Sequence, residues 1–334
     1  MQPSLYNCLA ILSAQNIATI RLTGMLTVLA VGLISGYLAA NRFAMPEHWA
    51  KKIMTVVLVF FNWPIALLVI WPMQLSRRLV WMPIICIALM LTITVISLAI
   101  FYFSSLDRKG RLTVILAGGL SNMGYTGGAF VCYALFGTTG LALANIYPVF
   151  WMPVVSLIFF PLLKLNELHT KGAELRFSLT EMFDARFLVI PAVIAAIILN
   201  LASIKPLAFV EKFYIIDILV YTASALAFFA IGLRVKLPRL KEHIDLYFPL
   251  AAVKFIITPA VAFLMLWLLA LAGQELAGPV QRVIIVLSAT PSAVLMVTMS
   301  NVFDLDGPLA SALWVVTMAI FVVIVVPVFF FFFT

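Results

Sequence analysis

Apolar runs of about twenty residues, cut by short charged or Gly/Pro-marked breaks, fill almost the whole chain. They predict ten helices, at 22–40, 53–71, 79–103, 112–135, 140–163, 187–204, 213–233, 246–272, 279–303 and 308–330. A helix needs roughly 20 apolar residues to cross the hydrocarbon core of a bilayer. The longest polar interval, Lys164 to Arg186, falls between the fifth and sixth runs. It predicts a linker, 164–186, between two five-helix halves, 22–163 and 187–334. Residues 1–21 lack a basic start, a clean apolar stretch and a small-residue cleavage site, so they are expected to be an N-terminal extension rather than a signal peptide.

Composition turns this pattern into a statement about the solvent. Of 334 residues, 65% are hydrophobic and 10% charged, against roughly 25% charged in soluble domains. Lipid must therefore surround most of the chain, which predicts an all-α integral membrane protein with little outside the bilayer. The net charge of +8 does not indicate nucleic acid, because the basic residues sit singly or in small groups between apolar runs. They report sidedness instead. Fourteen lie after odd-numbered runs, from Arg42 to Lys241, whereas six (Arg21, Arg77, Arg78, Lys205, Lys212 and Arg282) lie on the other side. Positive-inside bias puts the linker in the cytoplasm and both termini outside it, in a multi-pass protein of the cell (inner or plasma) membrane.

Five crossings per half make the second half enter from the opposite side, so an internal repeat would be inverted. A shift of 167 residues places Leu120-Ser121 on Leu287-Ser288, Phe136 on Phe303 and Gly140 on Gly307. Helices four and nine are both expected to be broken at matching places. Residues 118–128 hold five glycines, each costing a helix about 1 kcal/mol relative to Ala. Ser288-Ala289-Thr290-Pro291-Ser292 carries a proline, which removes an amide donor and clashes with the preceding turn. Paired breaks in two halves are the best sequence pointer to a transporter binding site, and half-helix N-termini suit an anion. Close packing through small residues is the competing reading of the glycines.

Asn122-Met123-Gly124-Tyr125-Thr126-Gly127, followed by Leu135-Phe136-Gly137, resembles the fourth-helix signature of the auxin efflux carrier family. Phe61-Asn62-Trp63-Pro64, Gly232-Leu233 and Thr290-Pro291-Ser292-Ala293 stand where that family has comparable residues, and the resemblance covers roughly 22–330. It implies a five-plus-five inverted repeat whose broken helices four and nine cross near the midplane. Helices three to five and eight to ten would then move against a scaffold, through which a homodimer is a further expectation. Bacterial members include carriers proposed for malonate and similar dicarboxylates. Gly128-Ala129 stands where the family often has a proline.

The expected function is secondary transport of a small organic anion, auxin-like or dicarboxylate-like, by alternating access at the crossing. The candidate substrate-binding residues are Asn62, Asn122, Gly124, Tyr125, Gly127, Lys254, Thr290, Pro291 and Ser292. Lys254 lies about 12 Å inside its helix at 1.5 Å per residue, too deep for its stem to reach water easily. It would attract an anion, gate movement, or satisfy a helix C-terminal carbonyl. Asp217 reads as interface solvation or as a proton or cation site, and Asp306 before Gly307-Pro308 as a helix N-cap. Asn145, like Asn62, would line a cavity or satisfy freed backbone.

No enzyme is expected, because the runs hold no clustered acids and no nucleophile–base pair. No nucleotide-binding loop is present to power transport. Cys8, Cys86 and Cys132 lack metal-ligand spacing, and His48, His169 and His243 fall between runs, so neither metal nor cofactor is expected. A sodium-coupled bile-acid-type symporter is the alternative within carriers; a channel or a membrane receptor stands further off.

Overall fold

The computed structural model describes residues 5–40, 42, 45–164, 185–234 and 240–333. Among these, structure is helical almost throughout, and the β-pairing is a single antiparallel bridge, Ser121 with Ser292. We number the principal helices α1 (Leu5–Ala40), α2 (Pro46–Ile70), α3 (Arg77–Phe101), α4 (Arg108–Gly119), α5 (Gly128–Ile146) and α6 (151–164). The second part of the chain contributes α7 (Val189–Leu201), α8 (Ile215–Arg234), α9 (Ile244–Leu271), α10 (Gly278–Ser288), α11 (Val294–Val302) and α12 (Gly307–Phe333). Seven helical stretches are long and apolar enough to cross a membrane, with α5 and α6 counted as one, and α7 and α10 are shorter apolar helices. The chain is an all-helical membrane protein.

One expected boundary shifts, and one break falls in the gap expected at 136–139. Helix α1 runs unbroken from Leu5, so the division expected at residue 21 falls inside it. The fourth and fifth apolar runs are parted by a single residue: Gly137, at φ 65° and ψ −150°, reverses the chain within α5. Only glycine enters that region without steric cost. The expected cytoplasmic linker, 164–186, lies almost wholly outside the described residues.

Prolines shape the long helices. Four π-helical turns, Val57–Asn62, Val155–Phe159, Val253–Ile257 and Phe321–Val325, each stand just before a proline: Pro64, Pro161, Pro259 and Pro327. A helical proline donates no amide and its ring pushes on the carbonyl four residues earlier, so the turn widens. Lys254 sits in one of these turns.

The helices pack in two groups. One joins α1, α2, α7 and α8; the other joins α3, α4, α9, α10, α11 and α12; α5 touches α1 and α2 on one side and α10 on the other. The α1–α8 contact is the most extensive, and small residues allow it. A Cβ on Gly36 would overlap the Phe229 carbonyl oxygen, and one on Gly232 that of Leu33. With lipid as apolar as the side chains, such close backbone approach supplies the packing that holds helices together.

Candidate functional site

The two broken segments meet. Helix α4 stops at Gly119 and α10 at Ser288; the chain then runs extended before α5 and α11 begin. The extended pieces pair antiparallel, with Asn122 N–H donating to Pro291 O at 2.9 Å and Ala293 N–H to Leu120 O at 3.0 Å. Two helix C-termini and two N-termini thus converge on one point. Residues 120–123, 125 and 126 and residues 289–293 are all buried there.

Backbone carbonyls freed by the breaks are satisfied from side chains, as an interior without water requires. Ser292 Oγ donates to Ala117 O at 2.7 Å, and Thr290 Oγ1 to Leu287 O at 2.8 Å. Both side chains are fully buried, so these two expected substrate ligands close the breaks in this conformation. The Ser292 amide in turn donates to Thr317 Oγ1 at 3.3 Å.

Asn122 acts in the same way. Its Nδ2 donates to Thr126 O at 3.2 Å, its Oδ1 accepts from Thr126 Oγ1 at 3.0 Å, and its carbonyl accepts from Gly128 N–H at 2.9 Å. The side chain ties the non-helical turn into a closed ring ahead of α5. The first turn of α5 is bonded further by Ala129 N–H to Met123 O at 2.9 Å, and neither α5 nor α11 has a side-chain cap at its N-cap residue, Gly127 or Ala293. Tyr125 is buried, donates its hydroxyl to Asn145 Oδ1 at 3.2 Å, and accepts from Ser224 Oγ on α8 through its carbonyl at 3.1 Å. Asn145 donates to Leu141 O at 2.8 Å, so it holds Tyr125 and satisfies backbone at once.

Of the two readings of the glycines, close packing accounts for four. None of the five takes a positive φ. Close approach explains four: a Cβ would strike Ser97 from Gly118, Thr94 from Gly119, the Asn122 carbonyl from Gly127, and Leu287 and Thr290 from Gly128. Gly124 is exposed and a Cβ there would meet nothing within 4 Å. Gly124 is thus the one glycine of the five that borders open space.

Lys254 has no exposed surface and reaches the crossing from α9. Its Nζ donates to Ser121 Oγ at 2.6 Å and lies 3.4 and 3.5 Å from the carbonyl oxygens of Gly118 and Leu120. It therefore caps the C-terminal end of α4, where the helix dipole favours a cation. Beside Ser121 is a small space of about 10 Å³ lined by Ser121, Ser288, Thr258, Gly119, Cys86 and Tyr147, among others. That is room for roughly one water. The buried Tyr147 hydroxyl on its wall has no hydrogen-bond partner.

Asn62 is not brought to this place by any contact described. It ends a π turn of α2, with Oδ1 buried and unpartnered. Sequence reasoning also missed a second polar cluster, where Tyr133 on α5 donates to Asp217 Oδ1 on α8, and the Arg21 guanidinium stacks 5.3 Å over the Tyr133 ring. Tyr221 donates to Arg21 O at 3.3 Å and meets Tyr133 edge-on. Asp217 was legible as a polar residue near a helix end; its partners, from two other helices, were not. Asp306 is the N-cap expected of it, accepting from Leu309 N–H at 3.0 Å. Comparison with models of known protein families gives no match, and comparison with curated protein sequences gives none either.

Proposed function

We propose that the protein is a secondary transporter for small organic anions, built as ten spans in a five-plus-five inverted repeat. The observation that carries this reading is the crossing of two broken helices with a buried lysine at their junction. An interrupted helix inside a membrane is tolerated only where protein or a cavity satisfies its backbone. Two such interruptions paired with each other are an expensive arrangement that one continuous helix apiece would avoid. Alternating access gives it a purpose, since such breaks form midplane sites between repeats.

The chemistry at the crossing suits a carboxylate. The ammonium of Lys254 offsets the C-terminal end of α4, and the N-terminal ends of α5 and α11 present backbone amides at the same place. Gly124, which borders open space beside the Asn122 turn, is where a substrate would approach. Two further facts support the ten-span order. Lys109 pairs with Asp304 at 2.9 Å, joining ends expected on the cytoplasmic side. Arg78 donates to Glu275 O at 2.7 Å, joining ends expected on the outer side. The two packing groups match a scaffold and a moving body, with α5 linking them.

The test is a thermal-stabilisation screen of purified protein against mono- and dicarboxylates, with and without sodium, followed by uptake into proteoliposomes. Saturable stabilisation and uptake by at least one carboxylate are expected. Stabilisation that requires sodium would move the reading to a sodium symporter, and no response to any carboxylate would reject it.

A further inference from the structure

The Lys254 ammonium lacks a counter-charge. Its three acceptors, Ser121 Oγ and the carbonyls of Gly118 and Leu120, are neutral, and among the described residues no carboxylate pairs with it. The charged groups on the helices packed around it are far off. Arg108, Lys109 and Arg111 stand at the start of α4, and Arg111 is seven residues from Gly118, about 10 Å along the axis. Arg77 and Arg78 begin α3, Arg282 is in the first turns of α10, and Asp306 precedes α12. Glu242 just before α9, and Asp245 and Tyr247 on it, lie about two turns or more before Lys254. The other titratable neighbours across the small cavity, Cys86 and Tyr147, are a thiol and a phenol, neutral near pH 7.

An isolated ammonium in such a place is unfavourable unless an anion joins it or its proton leaves. We propose that Lys254 is the proton site of this carrier, taking up one proton as the substrate anion binds; this rests on the anion-transport reading. In the empty carrier the amine is neutral. On loading, its lone pair takes a proton from the aqueous side, and the resulting ammonium faces the carboxylate. With a monocarboxylate the pair crosses without net charge, with a dicarboxylate it carries one negative charge, and on the far side carboxylate and proton leave together. The contact to Ser121 serves both states: an ammonium donates to Oγ, and a neutral amine accepts from the Ser121 hydroxyl at the same separation. Ser121, the residue that Nζ contacts, also lines the one-water space, with the free Tyr147 hydroxyl on its wall.

Linkage fixes the sign. Because the anion favours the protonated form, its binding raises the proton affinity of Lys254, and apparent affinity falls as pH rises, by up to about tenfold per pH unit for one linked proton. The experiment is calorimetric binding of acetate, malonate and succinate to the full-length protein in detergent, at several pH values, in two buffers of different protonation enthalpy. The difference between buffers counts the protons taken up.

Wild-type protein should take up a fraction of a proton that grows toward one with rising pH. Lys254→Arg remains cationic throughout, so it should still bind the anion while losing both the buffer dependence and the pH slope. Binding by wild type with no proton uptake at any pH overturns the proposal and leaves anion transport standing, as does uptake that persists in Lys254→Arg. If Lys254→Arg fails to fold, the wild-type buffer comparison decides alone. Binding of none of the three anions overturns the proton assignment together with the reading beneath it.

Discussion

Replacing Asn122 with alanine removes both side-chain bonds that close the turn before α5. Those are Nδ2 to Thr126 O at 3.2 Å and Thr126 Oγ1 to Oδ1 at 3.0 Å. Side-chain hydrogen bonds inside membrane proteins average about 0.6 kcal/mol and reach about 1.7. A buried acceptor left without a partner costs about 1–3 kcal/mol, and the Thr126 carbonyl is left so here. Asn122→Ala should therefore destabilise the protein by about 1–3 kcal/mol. Carboxylate affinity should fall by a similar amount, because the same ring shapes the N-terminal end of α5. Thr126→Val removes only one of the two bonds and should cost less. The two residues touch, so the double variant should show a coupling of about 0.5–1.5 kcal/mol. Reversible unfolding in mixed micelles measures all four proteins, and calorimetry gives the affinities. Additive effects, within about 0.3 kcal/mol, would refute the closed ring. Unchanged affinity in a folded Asn122→Ala variant would remove this turn from the binding site.

Pro291→Ala lets the α10–α11 break close toward continuous helix, which opposes the pairing of 120–122 with 291–293. Transport should drop at least about tenfold while unfolding free energy changes by less than about 1.5 kcal/mol, a small effect for a proline whose strain is already accommodated; the reverse pattern would make the break purely structural. Gly36→Leu inserts a side chain where backbone already touches backbone, so the α1–α8 contact should lose about 1–3 kcal/mol or more, measured by the same unfolding assay. Gly124→Ala meets open space and should leave stability within about 0.5 kcal/mol, with any loss confined to transport. Tyr133→Phe removes the donor to Asp217 that joins α5 to α8, and should speed amide hydrogen exchange at the facing ends of both helices. Reporter fusions near 175 and 238 should report cytoplasm, and a C-terminal fusion the outside; a cytoplasmic C-terminus would break the ten-span order.

Much of the site was legible from the two interruptions, because glycine clusters and a proline inside apolar runs are local facts. What the glycines pack against was not legible. Local reasoning reads them as helix breakers, whereas Gly118, Gly119, Gly127 and Gly128 make room for Thr94, Ser97, Leu287 and their own turn. The candidate ligands Ser292, Thr290 and Asn122 lie at the crossing, where their side chains bond backbone. Their hydroxyls and amide answer carbonyls up to 175 residues away, which no spacing in the sequence announces.

The sequence by itself determined the solvent, the helical class and the places where helices break. Each follows from transfer of apolar runs into lipid and from the backbone limits of proline and glycine, which act within a few residues. Tertiary structure alone decided that the breaks pair with each other, that Gly124 is the open one, and that Lys254 ends on Ser121 and the α4 carbonyls. The reason is the demand that every polar backbone group in a membrane find a partner. Where a helix is broken that partner must come from another helix, and only the packed arrangement selects which one.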